Sequence, residues 1–194
     1  SFTDENGKNF DVPPTLISFA VAVTEAEKII SPEFKHAGSN VYVLEPEYDE
    51  RNLPVKNSML KIFDAIKKLN SEEKILACYV PTFGGIKAGI FKMCLGNNLG
   101  FELLDKNFEK NFASGDRRGK FIIETSEKID GLEIFGKVLE TPEIIFNDEK
   151  INLSDAEKIY NAPFEKIFPT EIKVLQDVPE IKAGKISNSV APVI

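Results

Sequence analysis

Residues 75–95 read ILACYVPTFGGIKAGIFKMCL, and this stretch decides the fold class. Its first five residues form an uncharged apolar run, which predicts a buried strand. After the loop, apolar residues recur at three- and four-residue steps, which predicts a helix over residues 86–95. Gly84 and Gly85 supply the backbone freedom for a tight turn between the two elements. The segment therefore predicts a strand that turns directly into a helix.

The glycine pair is also the first candidate binding feature of the sequence. Backbone N–H groups at the start of a helix point outward, and this geometry receives anions such as phosphate. Two glycines are equally well explained by the need for a tight strand-to-helix turn. The residues alone leave both interpretations open.

The rest of the chain alternates strand and helix patterns in irregular order, which indicates a mixed α/β or α+β domain. The run TLISFAVAV at residues 15–23 is uncharged and rich in β-branched and apolar residues, which predicts a buried strand. Ser154 is predicted to cap a short helix. The other predicted strands lie at residues 40–44, 100–104, 120–125, 133–139, 143–146 and 150–153, and the other helices at residues 53–69 and 155–161.

Composition excludes several classes of function. The chain has 194 residues and a formal net charge of -7, which suits one compact acidic domain without a nucleic-acid or anionic membrane partner. No apolar run approaches the roughly 20 residues that cross a bilayer. Cys78 and Cys94 are interpreted as buried, reduced thiols, so the predicted location is the cytoplasm. His36 is the only histidine, which disfavours a Ser-His-Asp triad and a multi-histidine metal site.

A second glycine-containing loop, at residues 115–120, is compared with a phosphate-binding P-loop. Only three residues separate its glycines, and Phe121 stands where Ser or Thr would hold magnesium. The sequence therefore predicts a charged hairpin turn, in which Arg117 and Arg118 remain available to meet an anion or a carboxylate. No nucleophile-base pair is recognisable, and no catalytic residue is predicted.

Several stretches together resemble one family. In order and spacing they are similar to the C-terminal domain of the aminoimidazole ribonucleotide synthetase (AIR synthase) superfamily, and within it to the large, single-chain phosphoribosylformylglycinamidine synthases. The resemblance covers about residues 11–170. The stretches that carry it are residues 11–20, 31–39, 84–85, 96–100, 134–138 and 163–170.

The resemblance implies a fold and a domain organisation. The expected fold is α+β, a mixed β-sheet packed with helices. Residues 1–14 would form an inter-domain loop, residues 15–170 the second C-terminal (B-type) domain, and residues 171–194 a linker toward a glutaminase domain. Both ends of the chain would then be cuts within a longer polypeptide.

The resemblance also implies an activity for the whole enzyme. ATP, with Mg²⁺, would phosphorylate the amide oxygen of formylglycinamide ribonucleotide, and ammonia from glutamine would displace the phosphate. The expected partners are the A-type synthetase domains, the glutaminase domain and small-molecule substrates. The isolated domain is expected to be inactive and to bind no cofactor. The alternatives are a non-catalytic scaffold domain and a sister family member such as a selenophosphate synthetase or a hydrogenase-maturation protein.

The sequence departs from the family at one loop, which usually reads His-Asp-x-Ser-Asp-Gly-Gly. Thr82 keeps a hydroxyl at the serine position, where the family contacts a nucleotide. Val80 and Phe83 replace the aspartates and cannot coordinate a hard cation, so no metal ligand is predicted. The resemblance therefore limits nucleotide or phosphate binding to Thr82, Gly84 and Gly85.

Overall fold

A computed structural model describes residues 2–3, 5–11, 14–105, 108 and 118–169, and in residues 2 and 10 the backbone alone. The chain divides into two compact units, Ser1–Leu153 and Ser154–Ile194. The first unit contains a two-stranded hairpin and a seven-stranded sheet. The predicted linker at residues 171–194 lies outside the described residues.

The elements follow one another in the order strand, strand, strand, helix, strand, helix and then mainly strands. A 3₁₀ turn covers Ala26–Lys28. The helices are α1 (Lys56–Ser71), α2 (Gly85–Leu95) and α3 (Leu153–Asn161). The strands are β1 (Phe2–Thr3), β2 (Asn9–Phe10), β3 (Asn40–Leu44), β4 (Ile75–Tyr79), β5 (Gly100–Leu103), β6 (Phe121–Thr125), β7 (Gly136–Leu139), β8 (Glu143–Phe146) and β9 (Glu149–Asn152).

The large sheet has the strand order β4-β6-β3-β7-β5-β8-β9. The β5–β8 pair is parallel, and the other neighbouring pairs are antiparallel. This mixed sheet with packed helices confirms the expected α+β fold. Within the described part of the chain, no helix is both long enough and apolar enough to span a membrane.

The two faces of the sheet carry different helices. Successive side chains of a strand point to opposite faces, and in β6 Ile122 belongs to one apolar cluster and Ile123 to the other. The Ile122 cluster includes α2, through residues such as Ile90, whereas the Ile123 cluster includes α1, through Ile62. The sheet is therefore covered on both faces in the region of β6.

An irregularity in β4 explains why that strand contributes side chains to both apolar clusters. Ile75 and Ala77 are two residues apart and would normally share a face, but Ile75 packs with α1 and Ala77 with α2. The pairing of β4 with β6 shifts register between these two residues. Such a shift inserts one extra residue and reverses the alternation. Sequence periodicity does not reveal it.

The prediction of a buried strand at residues 15–23 is wrong for this structure. The segment belongs to none of the described strands, and its residues are exposed. Leu16, Phe19 and Val21 are at least 86% exposed. The composition is that of a strand, but a strand also needs a neighbouring backbone to satisfy its N–H and C=O groups. None of the described ladders includes this segment.

Three elements begin two or more residues away from their predicted starts. Helix α1 begins at Lys56 rather than residue 53, because residue 54 forms a β-bridge with residue 48. Helix α3 begins at Leu153, so the prediction that Ser154 caps it is wrong, and Ser154 lies in its first turn. Strand β7 begins at Gly136 rather than residue 133. The predicted inter-domain loop at residues 1–14 contains the β1–β2 hairpin.

Candidate functional site

The candidate site is the loop at residues 80–85, which joins β4 to α2. Gly84 caps α2 with a φ of 87°, and Gly85 has a φ of 65°. A side chain at Gly84 would be unfavourable for two reasons. The positive φ disfavours any residue with a Cβ, and that Cβ would lie 2.7 Å from the Cβ of Ala88. The turn itself therefore requires glycine, whether or not a ligand binds.

Hydrogen bonds within the loop already occupy some of the backbone N–H groups that were predicted to bind an anion. The Gly85 N–H donates to the carbonyl oxygen of Thr82 at 3.1 Å, closing a tight turn. The Ala88 N–H donates to the carbonyl oxygen of Gly84 at 3.4 Å, which begins the helical pattern. The Thr82 side chain is exposed. Of the three predicted binding residues, Thr82 is thus exposed to solvent, whereas the Gly85 N–H already has an internal acceptor.

The loop does not fit a hard metal ion. Magnesium requires oxygen ligands, but the residues at the two aspartate positions are Val80 and Phe83, whose exposed fractions are 45% and 88%. Within the described residues, no group of three or more His, Cys, Asp or Glu side chains is arranged to hold a metal. The features that remain for a phosphate group are the Thr82 hydroxyl and the N-terminus of α2.

The two cysteines lie in the folded core of the first unit. Cys94 is fully buried and Cys78 is half-buried, and both are free thiols. Burial raises the pKa of Cys78 and raises that of Cys94 to about 12. Because the thiolate is the reactive form, a raised pKa makes a thiol less reactive. Cys94 is the buried core residue that the sequence predicts, whereas Cys78 is only partly buried against the core.

Sequence reasoning did not predict the residue that organises the turn around His36. Glu124, in β6, is fully buried and accepts hydrogen bonds from the backbone N–H groups of Lys35 at 2.8 Å and His36 at 3.0 Å. Charge-assisted bonds of this kind are stronger than neutral ones. The signal in the sequence was one acidic residue within the apolar strand FIIET. His36 thus contributes its backbone to the fold.

The second glycine-containing loop has a structural role where it is described. Arg117 lies outside the described residues, and the carbonyl oxygen of Arg118 accepts a hydrogen bond from the Tyr48 hydroxyl at 3.1 Å. The buried Lys120 pairs with Glu45 at 3.1 Å. Because a buried charge needs a partner, this pair secures the entry to β6. Residues 115–117 of the predicted charged hairpin turn lie outside the described residues.

Glycines in the stretches that carry the family resemblance are explained by close packing. A Cβ at Gly100 would lie 2.0 Å from the carbonyl oxygen of Thr141. A Cβ at Gly136 would lie 2.3 Å from the ring of Phe101. Both distances are far inside van der Waals contact, so the adjacent strands can approach only because these positions lack a side chain.

Comparisons of sequence and of structure with known proteins both find PurL proteins. No family model matches the chain. A curated relative, "Phosphoribosylformylglycinamidine synthase subunit PurL" of Picrophilus torridus, is 26% identical over 173 residues, covering 79% of this chain and 21% of the relative. The chain therefore spans about a fifth of the length of this relative.

Solved structures of proteins from Thermotoga maritima share the fold of this chain. The structure of PurLQS matches with a TM-score of 0.55 at 11% identity, covering 84% of this chain and 31% of that one. PurL complexed with AMPPCP matches with a TM-score of 0.53 at 12% identity, covering 84% and 30%. PurL complexed with FGAR matches with a TM-score of 0.52 at 8% identity, covering 66% and 29%. The chain is thus similar in sequence to a curated PurL subunit and shares the fold of solved PurL structures.

Proposed function

We propose that the chain is part of a phosphoribosylformylglycinamidine synthase. The complete enzyme would use ATP and glutamine to convert formylglycinamide ribonucleotide to formylglycinamidine ribonucleotide in de novo purine biosynthesis, in the cytoplasm. The observation that carries this proposal is the sequence relationship to a curated PurL over most of this chain. The common fold of the Thermotoga proteins, one of them complexed with FGAR, supports it.

The reaction would take place outside this chain. Phosphoryl transfer needs cationic groups or metal ions that neutralise the developing charge, and the loop at residues 80–85 has no charged side chain. The remaining synthetase domains would bind ATP and magnesium. A glutaminase domain on the same polypeptide would supply ammonia. This chain would stabilise the synthetase and contribute at most one hydroxyl, from Thr82, to a phosphate group.

The experiment compares the 194-residue chain with the polypeptide that its complete gene encodes. We expect the complete polypeptide, supplied with ATP, Mg²⁺, formylglycinamide ribonucleotide and glutamine or ammonia, to form the amidine product. We expect the 194-residue chain to form none. Turnover by the 194-residue chain, or no amidine formation by a folded complete polypeptide, would contradict the proposal.

A purely structural role for the candidate loop is the second candidate function. It is favoured by the geometry of the glycines: Gly84 is required by its φ and by Ala88, and the Gly85 N–H is bonded within the turn. On this hypothesis the loop binds nothing, and the domain braces the synthetase. A member of a sister family with another substrate is not supported by the sequence relative.

The Thr82 hydroxyl distinguishes the two roles. A hydrogen bond to a charged phosphate contributes about 1.5–3 kcal/mol, so Thr82→Val in the complete polypeptide should weaken binding of ADP or formylglycinamide ribonucleotide about tenfold or more. Thr82→Ser is the matched control, because it keeps the hydroxyl and should keep the affinity. Titration calorimetry measures both. Equal affinity of the Thr82→Val variant and the unmodified enzyme would establish the structural role.

A further inference from the structure

Residues 153–168 form a helical segment, almost all of which belongs to the second compact unit. Helix α3 is its first part, and further helical turns follow. The Ala162 N–H donates to the carbonyl oxygen of Lys158 at 3.0 Å, and the Phe168 N–H donates to that of Phe164 at 2.7 Å. Side chains four positions apart therefore lie on the same side of this segment.

The apolar side of the segment is exposed. Five large apolar residues have exposed fractions of 52–75%: Ile159, Tyr160, Phe164, Ile167 and Phe168. Tyr160, Phe164 and Phe168 follow one another at four-residue steps, so they form an aromatic row along the segment. Single exposed apolar residues are common, but a contiguous group of this size marks a surface that another structure covers.

The charges of the segment favour a protein partner over a membrane or a nucleic acid. Its charged groups are three carboxylates, at Asp155, Glu157 and Glu165, and two ammonium groups, at Lys158 and Lys166. Helices that lie on anionic membranes carry mainly Lys and Arg on their polar side, and binding to nucleic acid likewise requires basic residues. Aromatic residues, by contrast, are enriched in the cores of protein interfaces. An apolar protein surface is therefore the partner that fits the segment.

The proposed function, on which this inference rests, provides such a partner on the same polypeptide. The chain spans 21% of the curated relative and about 30% of the solved PurL chains, so most of a protein of that kind lies outside these 194 residues. On the proposed function, residues 171–194 would connect this domain to the glutaminase domain. A connection of this length reaches at most about 80 Å when fully extended, and such a tether raises the effective concentration of the domain it carries.

We propose that the aromatic row, together with Ile159 and Ile167, is the surface on which the glutaminase domain docks. Burial of these side chains would hold the two domains in one arrangement, because the tether alone fixes only their greatest separation. The glutaminase domain would then release ammonia close to the synthetase rather than into solvent.

Photo-crosslinking in the complete polypeptide identifies the structure that covers the aromatic row. Benzoylphenylalanine at position 164 replaces one aromatic side chain by another, and ultraviolet light then joins it to the structure in contact. We expect the crosslinked peptide, located by mass spectrometry, to come from the glutaminase domain. Benzoylphenylalanine at position 158 is the matched control, because Lys158 is an exposed polar residue of the same helix. It should give no such crosslink.

A matched pair of substitutions tests the apolar contact through the source of ammonia. Phe164→Asp in the complete polypeptide should lower the rate of amidine formation from glutamine about tenfold or more, because a carboxylate cannot be buried in the apolar contact without a large cost. The rate with added ammonium salt should be unchanged, since the synthetase itself is intact. Lys158→Glu is the control, because it introduces a carboxylate among the polar residues of α3, and it should leave both rates unchanged.

Several results would overturn the proposal. A crosslink from position 164 to the synthetase domains or to a second copy of the polypeptide would assign the surface to another partner, and no crosslink would show that nothing covers it. Equal loss of both rates in the Phe164→Asp variant, or no loss of either, would also contradict glutaminase docking. Failure of the proposed function is seen separately: a complete polypeptide that forms no amidine from ammonium salt contradicts the enzymatic assignment, whereas the crosslink still reports the docked domain.

Discussion

Strand β6 and the segment at residues 15–23 have similar compositions and opposite environments. Both are rich in apolar and β-branched residues. β6 is paired with β4 on one side and β3 on the other, and Ile122 and Ile123 are fully buried. The segment at residues 15–23 is paired with no described strand and is exposed. Composition therefore indicates where a strand can form, whereas a free sheet edge decides whether it does.

The largest expected difference between the two regions is in core stability. Ile122→Ala in the 194-residue chain should lower the free energy of unfolding by about 3 kcal/mol, because it leaves a cavity against α2. Val21→Ala should change it by no more than about 0.5 kcal/mol, because Val21 is 94% exposed. Urea denaturation measures both variants. A comparable loss for Val21→Ala would show that residues 15–23 already pack within this chain.

A second, smaller effect concerns the turn that joins the exposed segment to the sheet. Glu124→Ala should cost about 2 kcal/mol, because it removes the acceptor of two backbone N–H groups. Glu127→Ala is the matched control two residues beyond the end of β6, and its exposed side chain should contribute less than about 0.5 kcal/mol. Thermal unfolding of the two variants compares them. An equal effect would mean that water replaces the Glu124 carboxylate without loss.

The smallest effect depends on pH and lies at Glu33, near the same junction. The hydrogen bond from the Lys35 ammonium, together with that from the Ser31 hydroxyl, lowers the pKa of Glu33 from 4.5 to about 2. The charged form is therefore favoured in the folded state, so its stabilising contribution is complete above pH 4.5 and is lost as the pH falls toward 2. The pair is partly exposed, so its contribution is small.

Comparing the pH dependence of unfolding in the Glu33→Gln variant and in the unmodified chain measures this contribution. The stability curves should differ most above pH 4.5 and converge toward pH 2. Curves that stay parallel across this range would show that Glu33 has no lowered pKa in the folded state.

Much of the fold could be predicted because local pattern and tertiary environment agree there. The runs NVYVL and ILACY became β3 and β4, and the spacing of Ile62, Ile66 and Leu69 matched the buried side of α1. The candidate loop was predicted as a strand-to-helix turn, and Gly84 and Gly85 are found there. These features depend on interactions within a few residues, which sequence periodicity reports directly.

Other features depended on contacts between distant residues. Two such contacts join positions more than 70 residues apart: the ion pair of the buried Lys120 with Glu45, and the hydrogen bonds that Glu124 accepts from the N–H groups of residues 35 and 36. No local pattern reports such pairs. The hydrogen bond from the Gly85 N–H to the Thr82 carbonyl oxygen likewise occupies one of the N–H groups of the predicted phosphate site.

The sequence by itself determined the strand and helix propensities, the acidic charge, the absence of metal ligands at positions 80 and 83, and the family resemblance. Each is a property of residue types or of spacing along the chain. Only the tertiary structure decided the strand order, the reversal of faces in β4 and the exposure of residues 15–23. These depend on which backbone edges and apolar surfaces meet, and a strand pattern carries no information about the partner that will satisfy it.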